Sequence, residues 1–118
     1  MIERELLETA LSATSEGVII ASIGANDQPS KIIYTNKAVE TLTGYDSQSL
    51  VGSDCNLMTR LTSDTTVTEQ EITAALQAGE SIHYIKQSNT KSGDFFWNDL
   101  CISPVLNNNT LTHFICVL

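Results

Sequence analysis

Residues Gly93–Val105 read GDFFWNDLCISPV, and they form the longest β-like run in the chain. The run alternates. Phe96, Asn98, Leu100 and Ile102 fall on one face; Phe95, Trp97, Asp99, Cys101 and Ser103 fall on the other. Both faces carry large apolar groups, and the single Trp and two of the three Phe are spent here. Such a strand belongs inside a sheet, with a core against one side and a cover against the other. The fold is therefore built around this strand, and function follows from what lies against each face.

Working outward, the last 39 residues read as β. A strand over 81–89 precedes the TKSGD turn that starts at Thr90. A second turn, LNNN at Leu106–Asn109, leads to a final strand from Thr110 to Leu118. Near the start, GVIIASI (Gly17–Ile23) and KIIYT (Lys31–Thr35) flank the turn cluster GANDQPS and predict a hairpin. The middle is helical in pieces. Asn36 caps a helix through about Thr43 with Ala38, Val39 and Leu42 inward, and Gly44 ends it. Gly52 turns the chain, and Asp54 caps a single turn with Cys55 and Met58. Thr66 and Glu69 fit a capping box for a helix with Val67, Ile72, Ala75 and Leu76 inside, closed at Gly79. Ile2–Ser12 predicts a short N-terminal helix with Ile2, Leu6, Leu7, Ala10 and Leu11 on its apolar stripe.

Composition narrows the class. The 118 residues predict one domain. A net charge of −8 with six Lys+Arg gives no basic patch for a phosphate backbone. No run of about 20 apolar residues is present to span a membrane. The N-terminal MIERELLETAL is too charged for a signal peptide. Three separated cysteines (Cys55, Cys101, Cys116) and two isolated histidines point to neither a disulfide framework nor a zinc site; a reducing cytoplasm fits. No nucleophile–base–orienter set, phosphate loop or metal cluster is visible, so an enzyme is the least favoured class.

The order of two strands, several short helices and three strands resembles the PAS fold. That fold is α+β: a five-stranded antiparallel sheet with short helices over one face, here with an N-terminal flanking helix. IIYTNKAVETLTGYDSQSLVG (Ile32–Gly52) is similar to the PAS pattern of a strand ending in Asn, an apolar helix, T-G-Y and a later Gly. Within the family the chain most resembles the flavin-binding LOV group, whose signature is roughly G-x-N-C-R-F-L-Q, then K-x-G-x-x-F-W-N-x-L-x-I-S-P-V and H-F-x-G-V-Q. Here those segments read GSDCNLMT (Gly52–Thr59), KSGDFFWNDLCISPV (Lys91–Val105) and HFICVL (His113–Leu118). The implied division is a flanking helix over 1–14 and a PAS domain over 15–118.

The resemblance places the LOV cysteine, which bonds the excited flavin at C4a, on Cys55, and the asparagine that binds the flavin's pyrimidine edge on Asn98. A further family asparagine aligns with Ser88, or with Asn89 after one gap; Leu100 lines the implied pocket. Other positions depart. The Asn before the cysteine is Asp54, the phosphate-pairing Arg is Asn56, the motif's Gln is Thr59, and the helix from Thr66 to Ala78 has no second Arg. The family's final glutamine is Leu118, and the Gly two positions before it is Cys116. Charge-assisted contacts to a phosphate, worth about 1.5–3 kcal/mol each, are absent from these positions. These changes predict a pocket without tightly bound cofactor, FMN or FAD being the family's ligands.

On the opposite face, Phe95, Trp97, Cys101 and Val105 share a side by parity. If the last strand pairs beside them, Ile115, Val117 and His113 join the patch. A soluble monomer rarely leaves such a surface bare. The N-terminal helix, through Leu6 and Leu7, is a ready cover, in cis or swapped in a homodimer. The expectation is a cytoplasmic sensory or regulatory PAS module excised from a larger bacterial-type signalling protein, such as a histidine kinase or GGDEF cyclase. It would act by ligand or interface change. Two alternatives stand beside it: a LOV-type blue-light receptor using Cys55, and a ligand-free dimerisation module.

Overall fold

A computed structural model describes residues 4–24, 29–53 and 69–118. Its elements run α1 (Arg4–Ala13), β1 (Val18–Ile23), β2 (Pro29–Thr35), α2 (Lys37–Thr43), α3 (Ser47–Leu50), α4 (Glu69–Gln77), β3 (Ile82–Asn89), β4 (Phe95–Asn107) and β5 (Thr110–Val117). The five strands form one antiparallel sheet in the order β2-β1-β5-β4-β3. The predicted hairpin is β1–β2. The last strand closes the sheet by pairing on both sides, Ile19 and Ile102 flanking Cys116.

Alternation in β4 holds as read. Asn98 is buried, Leu100 and Ile102 are fully so, and Phe95 and Trp97 stand outside. The inner face meets α2, α3 and α4 in one core. Ile19, Ala21, Ile32, Leu100, Ile102, Phe114 and Cys116 come from the sheet; Val39, Leu50, Ile72 and Leu76 come from the helices. Each such aliphatic or aromatic side chain contributes about 1.5–3 kcal/mol by leaving water.

Local chemistry explains the ends. Asn36 is extended and accepts from the Val39 amide, so α2 starts there; Gly44 stops it at φ 81, a left-handed turn that costs glycine nothing. Asp46 caps α3 in the same way by accepting from Ser49. Those amide hydrogen bonds hold its carboxyl below the usual aspartate range. Gly52 donates to the Ile32 carbonyl, and Ile32 donates to that of Ser53, which pins this turn to β2.

Three expectations need correction. Leu42 does not face in: it is exposed, and Thr43 is buried instead, its hydroxyl donating to the Val39 carbonyl one turn back. The turn after β4 is shorter than LNNN. Strand pairing runs to Asn107, and Asn108 and Asn109, both at positive φ, make a two-residue hairpin turn. The N-terminal helix begins at Arg4 among the described residues and does not bury its stripe: Leu6 is 60 % and Leu7 46 % exposed. Its end is tied to the start of α2, where Asn36 Nδ2 donates to the Leu11 carbonyl. Ile2, Asp54, Cys55, Asn56, Met58, Thr59, Thr66 and Val67 lie outside the described residues.

Candidate functional site

The candidate site is the inner face of β3, β4 and β5 beneath α4. Asn98 is brought to it by the alternation of β4, beside Leu100 and Ile102. Its amide lies in an otherwise apolar region, 3 % exposed, where a polar group must bond. Cys116 is completely buried and Cys101 faces the other way, half-buried, as their strand positions require; neither forms a disulfide. Leu118 continues β5, donates its amide to the Gly17 carbonyl at 2.8 Å, and packs partly buried against the core. A side chain on Gly17 would meet both Val39 and Leu118, so glycine there lets the start of β1 and the end of β5 close on α2.

The two candidates for the second asparagine lie on β3. Ser88 stands opposite Phe96 and Asn89 opposite Phe95 in the register, while their side chains lie outside the described part. Asp54 and Cys55 lie there too.

One member of the site escaped the sequence reading. Tyr84 of β3, opposite Leu100, is 2 % exposed, and among the described residues its hydroxyl finds no hydrogen-bond partner. Burial raises its pKa above the ordinary phenol range, with Cys116 adding to the shift, so the phenol stays protonated and is a donor. The only signal in the sequence was its parity with Ile82 on the inner side.

The outer face carries no chemistry of comparable burial. Phe95 is 64 % and Trp97 63 % exposed, with Ile85 beside them. Ile115, Val117 and Cys101 are half-buried in the same surface, since Cys101 pairs with Val117 and Ser103 with Ile115. His83 forms an exposed pair with Asp99, and His113 Nδ1 bonds the Thr112 hydroxyl. Among the described residues no cluster of His, Cys, Asp and Glu is built to hold a metal.

A single antiparallel sheet in this strand order, helices on one side and a polar group set into the covered face, agrees with the family comparison. The PAS domain model matches residues 15–118. The chain belongs to the PAS family. This PAS domain is 35% identical over 107 residues to a blue-light-activated histidine kinase of Brucella anthropi, covering 90% of this chain and 21% of that one. It is 29% identical over 113 residues to a blue-light photoreceptor of Listeria innocua, covering 94% and 43%. The PAS domain thus spans less than half the length of either relative. Among solved structures, an RNA-binding light-oxygen-voltage receptor superposes with a TM-score of 0.76 at 24% identity, over 96% of this chain and 31% of that one. A LOV domain from a blue-light-activated histidine kinase of Erythrobacter litoralis gives 0.68 at 23%, over 86% and 91%. These structures establish the shared fold. No helix among the described residues is long and apolar enough to cross a membrane.

The inner face carries the kinds of group that a planar heteroaromatic ring would need. It combines the apolar side chains of Leu100 and Ile102 with the buried amide of Asn98 and the hydroxyl of Tyr84. It departs from the LOV pattern at Cys116, whose thiol adds bulk where a glycine would let the ring approach, and at Leu118, which brings no polar group.

Proposed function

We propose that this PAS domain is a LOV-type blue-light sensor, a cytoplasmic input module of a longer signalling protein. The relatives move the balance from a flavin-free module toward light sensing. The observation that carries the reading is Asn98, buried at the inner face of a chain 35% identical to a blue-light-activated histidine kinase, where the resemblance implies a flavin-binding asparagine. A bound flavin supplies absorption of blue light and a ring that reacts when excited. Asn98 would hold its polar edge, Leu100 and Ile102 would carry its plane and keep water out, and Cys55 would supply the thiol. Catalysis would belong to an effector such as a histidine kinase.

The test is an absorption spectrum of protein expressed with added riboflavin, before and after blue light, for the wild type and Cys55→Ser. A blue absorption band that bleaches and recovers in the wild type, and bleaching that is lost or more than tenfold reduced in C55S, is expected. A colourless wild type sinks the reading. The second reading would then stand, a flavin-free module favoured by Leu118 and Asn56.

Output is proposed to pass through a homodimer. Phe95, Trp97 and Ile85 leave an apolar surface on the sheet, and α1 leaves Leu6 and Leu7 bare; in a dimer each would cover the other. Trp97→Asp places a charge in that surface. It should convert a dimer to a monomer on size exclusion with light scattering. An unchanged mass would remove the sheet face from the interface.

A further inference from the structure

We infer that Tyr84 is a ligand-binding residue of this pocket, its hydroxyl donating to a carbonyl oxygen or ring nitrogen of the bound heteroaromatic. The inference rests on the flavin reading above and concerns a position that the resemblance to LOV domains does not assign. A buried hydroxyl without a partner costs about 1–3 kcal/mol, so one that finds none among the described residues calls for a group that completes it. Tyr84 is such a group: 2 % exposed, on the same face as Asn98, and unpartnered among the described residues.

The register shows what it would replace. Tyr84 pairs with Leu100, and Lys86 pairs with Asn98, so Tyr84 is one inward step from the amide along β3 and β4. On the other side of Leu100, the pairing of Cys101 with Val117 carries Leu118 beside it one step later. Tyr84 and Leu118 therefore flank Leu100 in one row across the inner face. Leu118 has no donor. The row's side-chain donor then stands on the other side of Leu100, on β3. Burial raises the phenol's pKa, which favours the protonated, donating form.

The test is Tyr84→Phe, which preserves shape and deletes only the oxygen. Wild type and variant are titrated with riboflavin and with FMN, and the thermal midpoint of each is measured without flavin. The variant should bind both flavins about fivefold to tenfold more weakly, as the loss of one hydrogen bond of about 1 kcal/mol or slightly more requires. Its flavin-free midpoint should stay level or rise, because an unsatisfied group has been removed. Equal affinity overturns the inference while leaving the flavin reading intact. A lower flavin-free midpoint also overturns it, since the hydroxyl would then have a partner within the protein. No flavin uptake by the wild type overturns both.

Discussion

Asn36→Ala is expected to destabilise the domain by about 3–5 kcal/mol, enough to unfold a large fraction of a marginally stable protein. The side chain is 1 % exposed and makes four hydrogen bonds. Its Oδ1 accepts from the Val18 amide at 2.9 Å and from the Val39 amide at 3.3 Å. Its Nδ2 donates to the carbonyls of Leu11 at 2.7 Å and Glu16 at 2.9 Å. One residue thus caps α2, starts β1 and fastens the end of α1. Loss of the cap alone costs about 1 kcal/mol. The buried amide of Val18 and the two carbonyls then add their own unsatisfied terms of about 1 kcal/mol or more each. Asn36→Ser keeps an oxygen for the cap and gives up the donated bonds, so its loss should fall between wild type and alanine. Urea unfolding followed by circular dichroism measures all three, and a loss below about 1 kcal/mol for alanine would show that water replaces the network.

The second large effect is on flavin affinity. Asn56→Arg restores a cation where LOV domains pair the flavin phosphate, and Leu118→Gln restores the amide at the end of β5. A charge-assisted bond is worth about 1.5–3 kcal/mol, so Asn56→Arg should tighten FMN by about 10- to 100-fold and leave riboflavin unchanged. Leu118→Gln acts at the ring and should tighten both ligands about fivefold. Comparing the two flavins separates the contributions. An unchanged FMN affinity in the double variant would show that this pocket is not organised as a LOV pocket.

How much of this was legible in the sequence depended on whether a signal was local. The alternation in Phe95–Val105 fixed which face of β4 was covered, because period two is a property of the strand itself. Asn36, Gly44, Gly52 and Gly93 were readable for a similar reason: caps and turns depend on a few adjacent dihedrals, and all three glycines have positive φ. Asn98 came to the covered face because the alternation of β4 puts it there. The failures were tertiary. Leu42 looked like core by its spacing, but at the last turn of α2 the buried place goes to Thr43, whose hydroxyl satisfies the helix backbone. The stripe on α1 was visible, and in the single chain Leu6 and Leu7 stay exposed. Tyr84 resembled any strand aromatic. An unpartnered hydroxyl is a fact about neighbours on β4 and β5, and no local pattern encodes it. Asn36 was visible as a cap and invisible as a four-way junction for the same reason.

The bond between the Leu118 amide and the Gly17 carbonyl has an engineering consequence. Gly17, before β1, and Leu118, after β5, lie side by side, about one strand spacing apart. Joining them with a short linker and reopening the chain elsewhere would yield a circular permutant with the same sheet. The same closeness would let the unit be spliced into a surface loop of another protein while holding that loop's two ends nearly together, so the host would feel little strain at rest. Any rearrangement that separated these two strands would pull the host's ends apart directly.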